Sequence, residues 1–202
     1  RDATFANIVS AARRTLASLG ASPDGEPWIR RSQGDRLPLH PSVVLDVDLI
    51  DDRLRALRSA DDATVVAALE PLVEHVRGLP FEGTSYLWPD GEGITSRAVM
   101  VGLEASAELA RRYLSIGDVA GVLRATERGL RMLPGHEELI ALRLRAQAGD
   151  HAALRREWEA YLRVVVNDPW GDGEPSPVLV ALRDELAAAR LGAVSSGRTP
   201  SA

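Results

Sequence analysis

The stretch GDVAGVLRATERGLRMLPGHEEL, residues 117–139, contains the start, the packing face and the end of one helix. Gly117 is typical of the left-handed turn that ends a preceding helix, and Asp118 of a residue that caps the next one. Small or apolar residues and a closing proline follow at helical spacing: Val122, Ala125, Gly129 and Pro134. The stretch therefore predicts a helix over 118–132 that packs closely against its neighbours.

A second stretch of the same kind, GDHAALRREWEAYLRVV, begins at Gly149, 32 residues after Gly117. This offset is close to the 34-residue period of tetratricopeptide repeats, whose stacked helix pairs bury a continuous core. The apolar stripe of the second stretch contains Leu154, Trp158, Tyr161 and Leu162. We interpret Trp158 and Tyr161 as core residues rather than as part of a binding groove, because they share this apolar spacing. The expected helices are 95–115, 118–132, 136–148, 150–166 and a capping helix over 177–190, with Val178, Leu179, Leu182 and Leu186.

Two more helices and a connector are expected before the repeats. One helix begins near Asp48, which is a plausible N-cap, and buries Ile50, Leu54 and Leu57. The next begins near Asp62, turns Leu69, Leu72, Val73 and Val76 inward, and should be kinked or divided by Pro71. The irregular connector 77–93 holds three aromatic residues that we interpret as anchors: Phe81, Tyr86 and Trp88.

The N-terminal region predicts one amphipathic helix followed by a β-hairpin. Residues 4–20, TFANIVSAARRTLASLG, form an apolar stripe of Phe5, Ile8, Val9, Ala12, Leu16 and Leu19. Asn7, Ser10 and Arg14 point the opposite way and Arg13 lies on the flank. Residues 28–39, WIRRSQGDRLPL, predict two short strands joined by a turn at Ser-Gln-Gly-Asp. The fold class is therefore mainly α: a tetratricopeptide-like helical repeat domain with an N-terminal helix plus β-hairpin.

Composition excludes several classes of protein. The chain contains no cysteine, which removes thiol catalysis, zinc–thiolate sites and disulfides. The net charge of −5 is unevenly distributed, since residues 1–40 carry six arginines and four acidic residues, which leaves −7 for the rest. Such a chain is not a protein that coats nucleic acid. No apolar run is long enough to span a membrane and no signal peptide is present, so we expect a cytoplasmic protein with a disordered tail over 191–202.

No catalytic motif is present, and we expect no enzyme, no metal, no cofactor and no small-molecule substrate. The segment HEEL at His136 lacks the second histidine of a zinc protease, and His136 fits a helix start better. The acidic run LDVDLIDD lacks the glycine turn and the distal glutamate of a calcium loop. A hydrolase would need a Ser/His/acid cluster around His75 or His136, and this alternative stays open.

The order of these segments resembles the bacterial transcriptional activator domain of SARP-type regulators. LVEHVRGLPFEG with YLWPD is similar to that family's connector. ELARRYLSIGD and RAQAGDHAALRREWEAYLRVVVND look like its paired helix–Gly–Asp turns, and GEPSPVLVALRDEL looks like its terminal segment. Together these pieces cover residues 46–190 in the family's order.

The resemblance implies a function for both parts of the chain. In the family this module follows a response-regulator type winged helix, so residues 1–42 would be the C-terminal part of a winged-helix domain and 43–190 the helical domain. The carried-over candidates for DNA contact are Asn7, Ser10, Arg13 and Arg14 on the recognition-like helix, and Arg30, Arg31 and Arg36 on the wing. The family's preceding strands and two helices are missing from this sequence, so we expect weak DNA binding by the chain alone. Some relatives carry transmembrane or LysM segments, so a membrane-tethered parent is compatible with the resemblance.

Two hypotheses about partners follow. In the first, a complete winged helix binds DNA, and the helical repeats contact a protein partner or a second copy of the chain. In the second, the chain is a protein-interaction scaffold that binds no DNA, and its N-terminal helix and hairpin are a remnant. Exposure of Asn7, Ser10 and Arg14 with the arginine-bearing hairpin on the same side would favour the first, and burial of that face against residues 46–190 would eliminate it.

Overall fold

The structure is a computed structural model that describes residues 2–32, 36–85 and 87–196, with side chains described from residue 5 to residue 189 within these ranges. The chain divides into two compact units, 1–45 and 46–202. This boundary lies three residues beyond the predicted one. Most of the described residues are helical, which confirms the mainly α class.

The first unit consists of helix α1 (Asp2–Ser18), a loop, and an isolated antiparallel bridge between Ile29 and Leu39. The Arg30 N–H donates to the Pro38 carbonyl at 2.9 Å, and the His40 N–H donates to the Trp28 carbonyl at 2.8 Å. These contacts align 28–30 with 38–40, but no regular strand forms among the described residues. The strands of the predicted β-hairpin are therefore not confirmed, and the expected turn residues 33–35 lie outside the described part.

The apolar stripe of α1 is only partly covered. Val9 is buried, whereas Phe5, Ile8 and Leu19 are 59%, 61% and 78% exposed. The apolar stripe of α1 is therefore open to solvent at these three positions. The bridged segment contacts α1 on the flank of Arg13, whose side chain donates to the carbonyls of residues 29 and 30.

The second unit contains eight helices among its described residues. Their bounds are α2 (Asp46–Ala56), α3 (Asp62–Val73), α4 (Trp88–Gly91), α5 (Ile94–Ser115), α6 (Val119–Met132), α7 (Glu137–Ala146), α8 (His151–Asn167) and α9 (Pro177–Ser196). Of the five helices predicted from 95 onward, the first four are confirmed to within two residues at each end, and α9 extends six residues beyond its predicted end.

Two hydrophobic cores hold the second unit together. The first lies between α2, α3, α5, α6 and α7, and its fully buried residues include Val65, Leu69 and Val122. The second lies between α7, α8 and α9 and contains Leu144, Trp158, Tyr161 and Leu179. The partly buried Leu130 packs against both cores. The interpretation of Trp158 and Tyr161 as core residues is confirmed, since each is 7% exposed.

Local capping signals locate the starts of α6, α7 and α8. Gly117 has a φ of 76°, and Asp118 caps α6 by accepting a hydrogen bond from the Gly121 N–H at 2.9 Å. Asp150 caps α8 in the same way, through the N–H groups of Ala152 and Ala153. His136 caps α7 by accepting from the Leu139 N–H, which confirms its interpretation as a helix-start residue.

Several sequence-based expectations need correction. Helix α2 begins at Asp46, so Asp48 lies in its first turn and is not the N-cap. Pro71 does not divide α3, which continues through it and ends two residues later at Val73. Helix α9 continues to Ser196 because strong helix formers extend past residue 186, so the disordered tail predicted from residue 191 is wrong as far as 196. The rest of that tail, 197–202, lies outside the described residues.

The connector differs most from expectation. Phe81 and Trp88 are 41% and 58% exposed, so they do not anchor the connector in the core, and Tyr86 lies outside the described residues. Among the described residues of this segment, Pro89 is the buried one.

Candidate nucleic-acid interface

Arg13 fixes α1 to the bridged segment of the first unit. Its Nε donates to the Ile29 carbonyl at 2.9 Å, and its Nη2 donates to the Arg30 carbonyl. Both carbonyls belong to the backbone. These hydrogen bonds therefore fix the position of α1 relative to the backbone of residues 29–30. Arg13 is half-buried, and two of its five N–H donors are used inside the unit.

The polar face of α1 is open. Asn7, Ser10 and Arg14 are all exposed, as the DNA-binding hypothesis requires. Arg14 Nη1 donates to the Ser10 hydroxyl at 3.0 Å, so these two side chains form one polar surface one turn apart on the helix. A guanidinium held beside a hydroxyl can present donors to phosphate oxygens or to acceptor atoms of bases.

The three arginines of the predicted wing have different environments. Arg31 and Arg36 are exposed. Arg30 is partly buried, with Nη2 3.8 Å from an Asp24 carboxylate oxygen, and its buried Nε has no hydrogen-bond partner among the described residues. Arg31 and Arg36 are therefore more accessible than Arg30, and no hydrogen bond links either of them to α1 in the described part of the chain.

A groove of about 540 Å³ lies between α1 and the following loop. Ser10, Arg13, Arg14 and Trp28 contribute to its lining. Trp28 is held in place because its indole N–H donates to the Gly20 carbonyl at 2.9 Å. The structure thus brings three of the seven candidates together beside an aromatic side chain, a feature that the sequence analysis missed.

A buried histidine holds the end of the bridged segment to the loop after α1. His40 is 5% exposed, and its Nε2 lies 2.8 Å from the Asp24 carboxylate while its Nδ1 lies 2.6 Å from the Ser42 hydroxyl. The Ser42 N–H also donates to Nδ1, at 3.1 Å, so Nδ1 is an acceptor and Nε2 carries the proton that Asp24 accepts. Hydrogen bonds from the Glu26 N–H and from His40 hold the pKa of Asp24 below its usual value.

This Asp–His–Ser arrangement has a structural explanation. Ser42 follows His40 by two residues, and both its hydroxyl and its N–H meet the same ring nitrogen, which is the geometry of a local turn. His75 and His136 were the histidines weighed for chemistry, whereas His40 was not predicted to have a partner. The pairing of His40 with Asp24 spans 16 residues, and no local pattern signals it.

The acidic residues at the start of α2 form ion pairs with two arginine side chains of the same unit. Arg97 Nη2 lies 2.7 Å from an Asp48 carboxylate oxygen and 3.3 Å from one of Asp51. Arg55 pairs with Asp51 and Asp52 within α2. These carboxylates therefore stabilise the contact between α2 and α5. Their pairing with Arg97 was not predicted from the sequence.

None of the helices in the described residues combines the length and the apolar composition that crossing a membrane would require. Comparison of the chain with models of protein families, with curated proteins and with solved structures finds no match.

Proposed function

We propose that this chain is part of a bacterial DNA-binding transcriptional regulator and works in the cytoplasm. The first unit contributes to DNA contact, as the end of a winged helix whose wing is the bridged segment 28–40. The second unit is a protein-interaction module of tetratricopeptide-like repeats. The resemblance to the bacterial transcriptional activator domain supports both assignments, and the chain performs no catalysis in this proposal.

One observation carries the DNA-binding part. Arg13 ties α1 to the backbone of the segment that bears Arg30, Arg31 and Arg36, while Ser10 and Arg14 stay exposed on α1. A helix with an open polar face, fixed to an arginine-bearing segment, can contact a groove and the adjacent phosphates at the same time.

Helix pairing supports the repeat assignment. Helices α5 and α6 pack together across the Gly117-Asp118 turn, and α7 and α8 pack together across the Gly149-Asp150 turn. Helix α9 packs on both α7 and α8, as expected of a capping helix. The two turns differ in one respect, because Gly117 has a positive φ and Gly149 does not.

The second candidate function is a protein-interaction scaffold that binds no DNA. The side chain of Arg13 favours it, because two of its donors are engaged with backbone carbonyls and are not available to a phosphate. Partial burial of Arg30 points in the same direction. Three exposed arginines then remain on the proposed DNA-contacting surface: Arg14, Arg31 and Arg36.

The experiment measures binding of the chain to a fluorescein-labelled 30-base-pair duplex of mixed sequence by fluorescence anisotropy, across a series of salt concentrations. If the three exposed arginines each neutralise one phosphate, log affinity should fall against log salt with a slope of about −2.7. The triple variant Arg14→Gln, Arg31→Gln, Arg36→Gln should lose both the binding and the salt dependence.

The matched control removes three exposed arginines from the second unit by Arg58→Gln, Arg156→Gln and Arg163→Gln. It makes the same change in net charge and should bind the duplex with an unchanged slope. Loss of binding in both triple variants would mean that only overall charge determines DNA binding. Absence of binding by the parent chain at low salt would leave the protein-interaction scaffold as the remaining candidate function. Either result overturns the DNA-binding part.

A further inference from the structure

The connector of the second unit presents four large apolar side chains to solvent within ten residues. Leu79, Phe81, Leu87 and Trp88 are 44%, 41%, 80% and 58% exposed, and we call them the aromatic patch. The Phe81 and Trp88 rings are in contact, with centroids 6.2 Å apart and planes inclined by 58°. Single exposed apolar residues are ordinary on protein surfaces, whereas a group with two rings in contact indicates an interaction surface.

The backbone at Phe81 is strained. Its φ of 62° makes it the only non-glycine residue with positive φ among the described residues. The left-handed conformation costs a bulky L-residue about 1–2 kcal/mol relative to glycine. Burial in the core does not offset this cost, because the side chain is 41% exposed. A phenylalanine held in this way indicates that the exposed ring itself has a use.

Hydrogen bonds and one buried residue keep the aromatic patch in position. The Phe81 carbonyl accepts from the Thr84 N–H at 3.1 Å and from the Thr84 hydroxyl at 2.8 Å. Trp88 starts the short helix α4, whose buried Pro89 packs in the unit, and α4 contacts α5. The two rings are therefore preorganised, which lowers the entropy that a partner must overcome on binding.

The charges beside the aromatic patch select its partner. Glu82, Asp90 and Glu92 are exposed, and none of them forms an ion pair with a described residue. Arg77 is the single basic residue of segment 77–93, which leaves a net charge of −2. Arginine already stacks on aromatic rings elsewhere in this unit, since the Arg183 guanidinium lies 4.6 Å from the centre of the Trp158 ring. Stacking of this kind stabilises a contact between an exposed ring and a cation.

We propose that the aromatic patch is the docking site for a protein partner that presents an amphipathic helix with apolar residues flanked by arginines. The partner's apolar side chains pack against Phe81 and Trp88, and its arginines pair with Glu82, Asp90 and Glu92. This inference rests on the proposed role of the second unit as a protein-interaction module and names the surface that performs it. It does not depend on DNA binding by the first unit.

The test uses two labelled synthetic 18-residue helical peptides with leucine at positions i, i+3, i+4 and i+7. One peptide carries arginines beside the leucine stripe, and the other carries glutamates at the same positions. Anisotropy measures their affinity for the full chain, and amide chemical-shift mapping locates the contact. We expect the arginine peptide to bind at least tenfold more tightly and to shift resonances of segment 77–93.

The variants separate docking from folding. Phe81→Gly removes the ring and suits the positive φ, so it should fold at least as stably as the parent chain and lose at least tenfold in affinity. Trp88→Ser should lose a similar factor. The matched control is Trp170→Ser, because Trp170 is 92% exposed and lies near Asp168, Asp172 and Glu174 in the α8–α9 loop. This control should leave the affinity unchanged.

Four outcomes would overturn the inference: no binding of the arginine peptide, equal binding of both peptides, unchanged affinity in Phe81→Gly and Trp88→Ser, or equal loss in Trp170→Ser. Each concerns the second unit alone. Failure here therefore leaves the result of the DNA-binding experiment untouched, and failure of that experiment leaves the docking surface in place.

Discussion

Gly129 of α6 lies so close to Ser106 of α5 that a Cβ on residue 129 would be 3.0 Å from the Ser106 Cβ. The same Cβ would overlap Leu139 Cδ1 of α7. Three helices thus meet at a residue without a side chain, next to the first hydrophobic core. This approach explains why a glycine is tolerated inside α6 despite its poor helix propensity.

Gly129→Ala should lower the free energy of unfolding by about 1–3 kcal/mol, because the added methyl group forces neighbouring side chains apart in a closely packed region. Urea unfolding followed by circular dichroism measures the change. The control is Gly91→Ala, where nothing lies within 4 Å of the added Cβ, and it should leave stability unchanged. A Gly129→Ala chain as stable as the parent would mean that the helices can separate without cost.

Arg13→Gln should destabilise the first unit by about 1–3 kcal/mol, because two backbone carbonyls lose a charged donor. Hydrogen exchange of the Arg30 and His40 amides measures this, since both amides bond across the bridge. Arg14→Gln is the matched control, because Arg14 bonds only to the exposed Ser10 hydroxyl among the described residues. Equal exchange in both variants would show that Arg13 does not fix α1.

Local signals in the sequence predicted the helical framework well. Asp118, Asp150 and His136 act on N–H groups two or three residues away, so their capping role is visible in short segments. Apolar periodicity likewise identified Trp158 and Tyr161 as core residues. Such features depend on neighbours within one or two helical turns, and these neighbours are known from the sequence itself.

Contacts between distant segments could not be predicted in this way. Arg13 was interpreted as a DNA contact, yet it bonds to carbonyls 16 and 17 residues away. Asp48 was interpreted as a cap, yet it pairs with Arg97, 49 residues away. The choice of partner for a long, charged side chain depends on which segments the fold brings near it, and composition alone does not specify that choice.

Tyr113 should titrate far above the ordinary tyrosine range. Burial disfavours its phenolate, and the hydrogen bond from its hydroxyl to the Glu70 carboxylate adds to this, which raises the pKa of Tyr113 to about 12. Absorbance of phenolate at 295 nm should therefore show a step near pH 12 that is absent in Tyr113→Phe. Glu70→Gln should move this step to lower pH, because it removes the adjacent negative charge.

The raised pKa of Tyr113 also has a consequence for stability. The unfolded chain loses this proton near pH 10 and the folded chain near pH 12. The contribution of protonated Tyr113 to stability is therefore complete below about pH 10 and is lost as the pH rises towards 12. Tyr113→Phe should flatten the decline of stability over this window, and a decline as steep as that of the parent would contradict the assignment.

Arg143 and Glu157 should show strong energetic coupling, because they form a two-point contact in a partly buried position between α7 and α8. Arg143 Nε lies 2.7 Å and Nη2 lies 2.9 Å from the two oxygens of Glu157, and the side chains are 20% and 19% exposed. Nη1 of Arg143 also donates to the Leu123 carbonyl and the Thr126 hydroxyl of α6, both at 3.3 Å. One guanidinium thus links three helices.

A double-mutant cycle with Arg143→Met and Glu157→Gln measures this coupling. Each single variant should lose about 1–3 kcal/mol, because the remaining partner keeps a polar group in a partly buried site. The double variant should lose less than the sum, with a coupling of about 1 kcal/mol or more. The exposed pair Arg155–Glu159, with 3.7 Å between its charged atoms, is the matched control and should show a coupling of at most about 0.5 kcal/mol. Equal coupling in the two pairs would mean that burial and two-point geometry do not increase the coupling energy at Arg143. Packing of Leu144, Trp158 and Leu179 would then be what holds α7 to its neighbours.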